Sequence, residues 1–326
     1  MPSYISDSRL NGSEAAFCGA TAGVVSRFAT APLDVVKIRM QLQSHRTAFQ
    51  LRNKSPVAPP AKYTKIVPAL KTIFKEEGVR GLYKGNLAAE YLYLLYNAVE
   101  FYAYREVELA IEKSDTHNRL PGSTKSFLGG MVAGSIATAI TYPFDLLRTR
   151  FALQGDHNRQ YTGIIQAIRL IYSTEGVRGF YGGLGPTVVQ IMPYMGLVFA
   201  SYDKIAKTFQ KARDNGVLNE EHKPLHDVLS GALSGVISKT AVYPMDVVRK
   251  RLQVQGPHRK DYVIQSIPEY ASRSWLACMK AIAQQEGIAS LYRGLSVALI
   301  KVAPAISMTF FVYEKTKDTI IWLKGA

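Results

Sequence analysis

The stretch Pro32-Leu33-Asp34-Val35-Val36-Lys37-Ile38-Arg39 decides how this chain is read, because it occurs three times. Its second copy is Pro143-Phe144-Asp145-Leu146-Leu147-Arg148-Thr149-Arg150, and its third is Pro244-Met245-Asp246-Val247-Val248-Arg249-Lys250-Arg251. The copies align without gaps. A glycine pair precedes each proline at one fixed offset: Gly19 and Gly23, Gly130 and Gly134, Gly231 and Gly235. Downstream, Glu77-Gly78 leads to Tyr83-Lys84-Gly85, Glu175-Gly176 to Tyr181-Gly182-Gly183, and Glu286-Gly287 to Tyr292-Arg293-Gly294. Nineteen residues beyond each closing glycine stands a tyrosine: Tyr104, Tyr202 and Tyr313. Landmarks in register like these mark an internal repeat whose units bury their apolar faces against one another. The units run over 12–110, 123–211 and 225–322 and together make one transmembrane domain.

Between the landmarks lie stretches of the length a membrane helix needs. Residues 127–144 and 182–202 carry no charge at all. Residues 15–36 are interrupted only by Arg27 and Asp34, 87–99 only by Glu90, and 295–313 only by Lys301. Six apolar segments result, two per repeat. Short amphipathic helices are expected at 66–77, 164–175 and 275–286. The segment 45–62, with Pro56, Pro59 and Pro60, reads as an inserted loop, and so does 256–274. The glycine pairs let helix backbones approach closely. Each repeated proline removes a donor and bends its helix, drawing three helix ends toward a common axis.

Charge inside lipid is costly, so its angular placement is informative. Arg27, Asp34 and Gln41 are spaced by seven residues, as are Lys239, Asp246 and Gln253; the second repeat has Thr138, Asp145 and Ala152. Seven residues return to nearly the same helix face. One face of each odd-numbered helix is therefore polar, and the simplest arrangement has these faces lining a shared aqueous cavity. Lys37, Arg148 and Arg249 follow each aspartate by three residues, so three acids and three bases at one level can pair into a ring. The competing reading is a set of surface ion pairs of little energetic worth.

Composition constrains less. Forty Lys plus Arg against 25 Asp plus Glu give +15 over 326 residues. That excess calls for an acidic partner: nucleic acid, anionic lipid or a phosphorylated metabolite. No nucleic-acid-binding motif accompanies it, and a basic helical nucleic-acid binder is the remote alternative. No P-loop, HExxH, GxSxG or histidine cluster is present, so no enzyme activity and no metal site are expected. Cys18 and Cys278 stand apart without metal or redox spacing. The N-terminus has neither a secretory signal nor an Arg-rich presequence, which places any targeting information in the mature chain.

The triplicate Pro-x-Asp-x-x-Lys/Arg-x-Lys/Arg motif, with its Glu-Gly and Tyr-Lys/Arg-Gly elements, resembles the signature of mitochondrial carriers over residues 14–319. The resemblance implies an all-α membrane protein: six tilted transmembrane helices in three pseudo-threefold two-helix repeats, with three short matrix helices. It implies a multi-pass monomer in the mitochondrial inner membrane, its termini toward the intermembrane space. It further implies a matrix gate pairing Asp34 with Arg148, Asp145 with Arg249 and Asp246 with Lys37. Gln41 and Gln253 match the family's glutamine brace, whereas Ala152 departs from it. A second, cytoplasmic gate is matched by Tyr313, Glu314 and Lys317 and partly by Tyr202 and Asp203. Ala206 takes the place of its base in repeat 2, and repeat 1 reverses the charges with Arg105 and Glu108. Gly78, Gly85, Gly176, Gly183, Gly287 and Gly294 match the family's cardiolipin sites, where helix N-termini face phosphate. Plain helix capping is the alternative reading for each of them.

In carriers of this kind the substrate is met seven or eight residues after the closing glycine, here Leu92 and Tyr93, Gln190 and Ile191, Lys301 and Val302. With Arg27 and Lys239 on the odd helices, three cations face one cavity and suit a di- or triphosphate. Tyr93, Tyr96, Asn97 and Glu100 share one helix face; Glu100 offers a counter-charge and the tyrosines offer stacking surfaces. Arg27, Tyr93, Tyr96, Glu100, Gln190, Lys239 and Lys301 are therefore the candidate substrate contacts. Residues 34–43, 148–155 and 235–240 resemble the branch of the family that moves thiamine pyrophosphate. That implies this cofactor as transported substrate, exchanged for nucleotides, with no resident cofactor. The residues alone would equally accept a nucleotide or coenzyme A.

Overall fold

The computed structural model describes residues 10–43, 62–115, 121–155, 159–215, 223–264, 267–270 and 274–324. The loop expected at 45–62 lies outside them except for Lys62, and so do residues 1–9 and parts of the loop expected at 256–274.

Each repeat begins with a long helix that runs through its proline: α1 (Gly12–Leu42), α4 (Gly122–Leu153) and α8 (Lys223–Gln253). A shorter amphipathic helix follows: α2 (Ile66–Leu82), α5 (Ile164–Gly179) or α9 (Trp275–Glu286). The second long helix differs between repeats. In repeat 1 it is continuous, α3 (Asn86–Ser114). In repeat 2 it is split into α6 (Leu184–Val189) and α7 (Ile191–Asp214), and in repeat 3 into α10 (Leu295–Ile300) and α11 (Val302–Leu323). Pro193 and Pro304 cause the breaks. Each lacks an N–H and crowds the carbonyl four residues back, at Val189 and Ile300, the last residues of α6 and α10. Repeat 1 has Leu95 at that place and stays whole.

Packing closes a ring. The most extensive contacts join α3 to α4, α7 to α8 and α11 back to α1, so the last helix of each repeat lies along the first helix of the next. Ser26 of α1 donates to the Ala305 carbonyl of α11 at 2.7 Å across the closing seam.

The apolar core gathers at one end. Val35, Val36, Ile38, Leu42, Ile73, Leu146, Leu147, Leu153 and Ile171 are buried together where α2 and α5 meet the ends of the odd helices, and Val248, Leu252, Cys278 and Ile282 form a second cluster around α9. By contrast, α7 and α11 bury no residue, although both are rich in apolar side chains. Phe199, Phe311 and Trp322 are 62%, 60% and 76% exposed. Helices that bury nothing in protein yet carry such side chains are covered by lipid. Among the described residues, Thr124–Leu153, Leu184–Asp214 and Ile288–Leu323 are long and apolar enough to cross a membrane. The expectation of six apolar segments is thus met on composition by three. The other long helices, α1, α3 and α8, have 31, 29 and 31 residues but carry Arg27, Asp34, Lys37, Glu90, Glu100, Lys239 and Asp246. The ring surrounds polar groups, and their helices lose hydropathy accordingly.

Candidate functional site: a blind cavity with a charged floor

The floor is built on three arginines that close each copy of the motif. Arg39, Arg150 and Arg251 are at most 1% exposed. Each holds a glutamate of its own repeat with both guanidinium branches: Arg39 to Glu77 at 2.5 and 2.8 Å, Arg150 to Glu175 at 2.5 and 2.9 Å, Arg251 to Glu286 at 2.6 and 3.0 Å. Each also donates to a tyrosine hydroxyl, of Tyr63, Tyr161 and Tyr270. Finally, each Nε donates to a backbone carbonyl at the end of another repeat's odd helix: Arg39 to Ala152, Arg150 to Gln253, Arg251 to Gln41. The fork geometry lets one residue fasten its own short helix and a neighbouring repeat at once. Burial alone raises a carboxyl, but Arg39 and then Lys84 outweigh it and hold Glu77 below the usual carboxylate range. Nearby, burial pushes the Cys278 thiol up to about 12, which leaves it an inert packing residue.

Sequence separation explains why this triplet was missed. The tyrosines follow their arginines by 24, 11 and 19 residues, because inserts of different length intervene. A search at fixed offsets does not find them.

Above the arginines lie the three aspartates. Arg148 reaches Asp34 at 2.6 Å and Arg249 reaches Asp145 at 2.8 Å, both between repeats. The third expected pair is not formed. Asp246 is bound by Lys239, seven residues earlier on its own helix, and Lys37 lies over the Tyr243 ring at 5.9 Å. Lys239 and Lys301 are therefore not standing cations waiting in the cavity. Lys301 is 2.5 Å from Asp34, which thus holds two bases. Asp145 also holds two, and its second was not anticipated: Lys250 lies 2.9 and 3.1 Å from the two carboxylate oxygens. It also donates at 2.9 Å to Thr149 Oγ1 and to Gln253 Oε1. Its only sequence signal is a charge at a position where the other copies have Ile38 and Thr149. Gln253 further bonds the Asp145 carboxylate and the Tyr142 hydroxyl. Gln41 makes the matching bond to the Tyr243 hydroxyl at 3.0 Å, while the bond to an aspartate is made by Gln253.

The glycines at the starts of the even helices sit against this floor. Gly85, Gly183 and Gly294 have φ of 80°, 86° and 77°. A Cβ would lie 2.5 Å from the Arg148 carbonyl at Gly85, 2.8 Å from that of Arg249 at Gly183, and 3.3 Å from that of Lys37 at Gly294. Each repeat's even helix thus begins in contact with the backbone of the next repeat's first motif base. Gly78, Gly176 and Gly287 share the positive φ, but a Cβ there would meet open space.

Over the floor lie two chambers that share Arg27, Asp145, Arg148, Gln190, Lys239 and Arg249 as walls. The upper, about 480 Å³, is lined by Arg27, Tyr93, Tyr96, Gln190 and Lys239 among the anticipated contacts. Thr138, on the polar face expected of its helix, lines it as well, and so do hydroxyls that the spacing does not mark, on Thr141, Tyr142, Thr187 and Tyr194. The lower, about 290 Å³, is lined by the three aspartates, Gln190, Lys301 and the floor bases. Arg27 stacks on Tyr93 with Cζ 4.2 Å from the ring centroid. Glu100 lines neither chamber; its carboxylate accepts from the Tyr96 hydroxyl at 3.0 Å and so orients that ring. Gln190 and Lys301 occupy the two helix breaks, so their backbones sit where α6–α7 and α10–α11 change direction.

At the opposite end the acids of the expected second gate pair along their own helices. Asp203 pairs with Lys207 four residues on at 2.7 Å, and Glu314 pairs with Lys317 on its own helix. Tyr202 is 40% exposed.

Three two-helix units around a blind, cation-rich cavity, greasy outside and sealed at one end, are the build of a membrane solute carrier. The sequence profile described as "Mitochondrial carrier protein" matches residues 8–115, 121–213 and 220–323, and the chain belongs to the mitochondrial carrier family. It is 47% identical over 299 residues to mitochondrial thiamine pyrophosphate carrier 1 of Coccidioides immitis, covering 91% of this chain and 89% of that one. The proteins of the same name from Botryotinia fuckeliana and Neurospora crassa are 45% identical over 308 residues and 43% identical over 314. Each comparison covers 94% of this chain and 92% of the relative.

Proposed function

We propose that this chain carries thiamine pyrophosphate across the mitochondrial inner membrane by alternating access, exchanging it for nucleotides. One observation carries the mechanism: at the motif end Asp34 and Asp145 pair with bases on the next repeat's first helix, whereas at the other end Asp203 and Glu314 pair with bases on their own helices. That is a cavity open on one side and shut on the other. The substrate follows from the relatives' names and from a chamber whose size falls in the ~300–1,000 Å³ range of small-molecule sites. Arg27 and the floor bases suit the pyrophosphate, and the Tyr93 and Tyr96 rings suit the cationic heterocycle. Lys239 and Lys301 have a double role in this reading. Phosphate oxygens draw them off Asp246 and Asp34, and the floor loses part of what holds it shut. Only such a difference in affinity between states can drive the change.

Asp34, Lys37, Asp145, Arg148, Asp246 and Arg249 form the matrix gate, with Lys37 moving to Asp246 once substrate takes Lys239. Gln41 and Gln253 brace it. Tyr202, Asp203, Tyr313, Glu314 and Lys317 form the opposing gate when the cavity closes outside. The three repeats, 12–110, 123–211 and 225–322, act as one monomeric domain with both termini toward the intermembrane space. Cardiolipin phosphates sit at the helix starts near Gly78, Gly85, Gly176, Gly183, Gly287 and Gly294. No catalysis, resident cofactor or nucleic acid enters this reading.

The purified chain in liposomes is expected to take up labelled thiamine pyrophosphate. Arg27→Ala should lower uptake about tenfold or more, and Lys207→Ala should leave it unchanged. Uptake of nucleotides or coenzyme A in preference to thiamine pyrophosphate would transfer the assignment to those substrates.

A further inference from the structure

Glu90 lies on α3 inside the apolar stretch 87–99, between the floor and Tyr93, and no step above uses it. Both its carboxylate oxygens are shut off from solvent, no cation pairs with them, and only the Asn86 side chain of the same helix stands near enough to donate. Ala88 and Ala89 beside it are 1% and 3% exposed. The groups that act on it are Arg27 and Asp34 of α1, Arg148 of α4 and Asn86 one turn earlier on its own helix. Both cations are engaged elsewhere: Arg27 on the Tyr93 ring and Arg148 on Asp34.

A charge shut away from water with no counter-charge is costly, and within a membrane such acids mark ion and proton paths. A solute cannot relieve the cost, because Glu90 is not among the side chains lining either chamber. A proton can. It needs no room, and it removes the charge that the site leaves unanswered.

The floor supplies the switch. While Asp34 holds Arg148, no base is available to a Glu90 carboxylate. When the floor opens and that pair parts, the Arg148 guanidinium is released within reach of the same carboxyl.

We propose that Glu90 carries one proton per transport cycle in the direction of substrate entry, which makes the chain a proton-coupled carrier. A proton from the side open here binds Glu90 and forms the Oε–H bond. After the floor opens, that bond breaks, the proton passes to water on the other side, and the carboxylate pairs with Arg148. The proposal rests on the carrier reading above.

The test uses the full chain in liposomes with thiamine pyrophosphate as probe and the membrane potential clamped at zero. A gradient of one pH unit, acid on the side of added substrate, is expected to raise the accumulation ratio about tenfold, the factor that one unit represents for one proton. A pH dye trapped inside should report acidification when substrate is added. Glu90→Gln is expected to abolish both effects, and Glu90→Asp, which keeps a carboxyl, to retain them. Glu106→Gln, an exposed acid on the same helix, should keep the tenfold response. Wild-type uptake with no gradient effect and a silent dye would overturn the proposal while leaving the carrier reading intact. Persistence of the gradient effect in Glu90→Gln would overturn it equally. Should that variant fail to insert, the wild-type dye signal and Glu90→Asp decide. If thiamine pyrophosphate does not enter, the substrate reading has failed, and the proton signal is scored on whichever nucleotide or coenzyme A does enter.

Discussion

The two ends of the bundle draw on the same residue types and use them in opposite ways. At the floor Arg39, Arg150 and Arg251 vanish from solvent and each bridges two repeats. At the far end Asp203 and Lys207 are 61% and 67% exposed and lie on one helix. A pair within a helix cannot hold two helices together, and exposed pairs contribute little. Lys125–Asp115 and Lys324–Glu14 at the far end tie only adjoining helices, so pairing from one repeat's first helix to the next, rather than the presence of charge, decides which end is shut.

Arg251→Ala should give the largest effect, because it removes both short bonds to the buried Glu286, leaves it only Arg293 at 3.4 Å, and costs about 3–5 kcal/mol. Thermal unfolding in detergent measures it, and a loss no larger than that of a surface substitution would erase the contrast between the ends. Next comes the gate. Asp145→Asn leaves Arg249 and Lys250 facing each other with no acid between them. Uptake is expected to fall about 100-fold, or ~2.7 kcal/mol. Adding Lys250→Ile, the side chain of the first repeat at that place, should recover part of it; if the double variant is no better, Lys250 is not part of the lock.

Gly85→Ala comes third. The left-handed conformation costs about 1–2 kcal/mol in a residue with a Cβ, and the Arg148 carbonyl would have to retreat as well. Gly19→Ala, in a helical position with open space, should be neutral or stabilising by up to ~1 kcal/mol. Equal melting temperatures for the two variants would remove the close approach from the account. Smallest is Asp203→Asn, expected to change stability by less than about 1 kcal/mol. A larger loss would mean that the open end is braced in a way its pairs do not reveal.

Much of this arrangement could be read from spacing, and the exceptions are instructive. Asp34 meets Arg148 because identical spacing in three helices puts acid and base at one height. Asp246 does not meet Lys37, because Lys239 lies two turns away on the same face and reaches the carboxylate first. A heptad rule marks both lysines and cannot rank them. Lys301 lines the lower chamber and points down to Asp34 rather than standing free. The length of a lysine stem lets it sample two levels, and residue spacing is silent on which. Glu100 shares a helix face with Tyr93 but serves Tyr96, since a face about 100° wide spans both the lumen and the neighbouring helix.

The breaks at Gln190 and Lys301 bear on how the bundle moves. Two of its three outer legs are jointed by Pro193 and Pro304 about six residues from their floor ends, and the leg of repeat 1 is a single rod of 29 residues. Hinges absorb motion where the backbone is already interrupted. A tripod with two knees and one stiff limb leans as it folds. The aperture at the floor therefore widens off-centre, away from the rigid limb, and not like the iris of a camera.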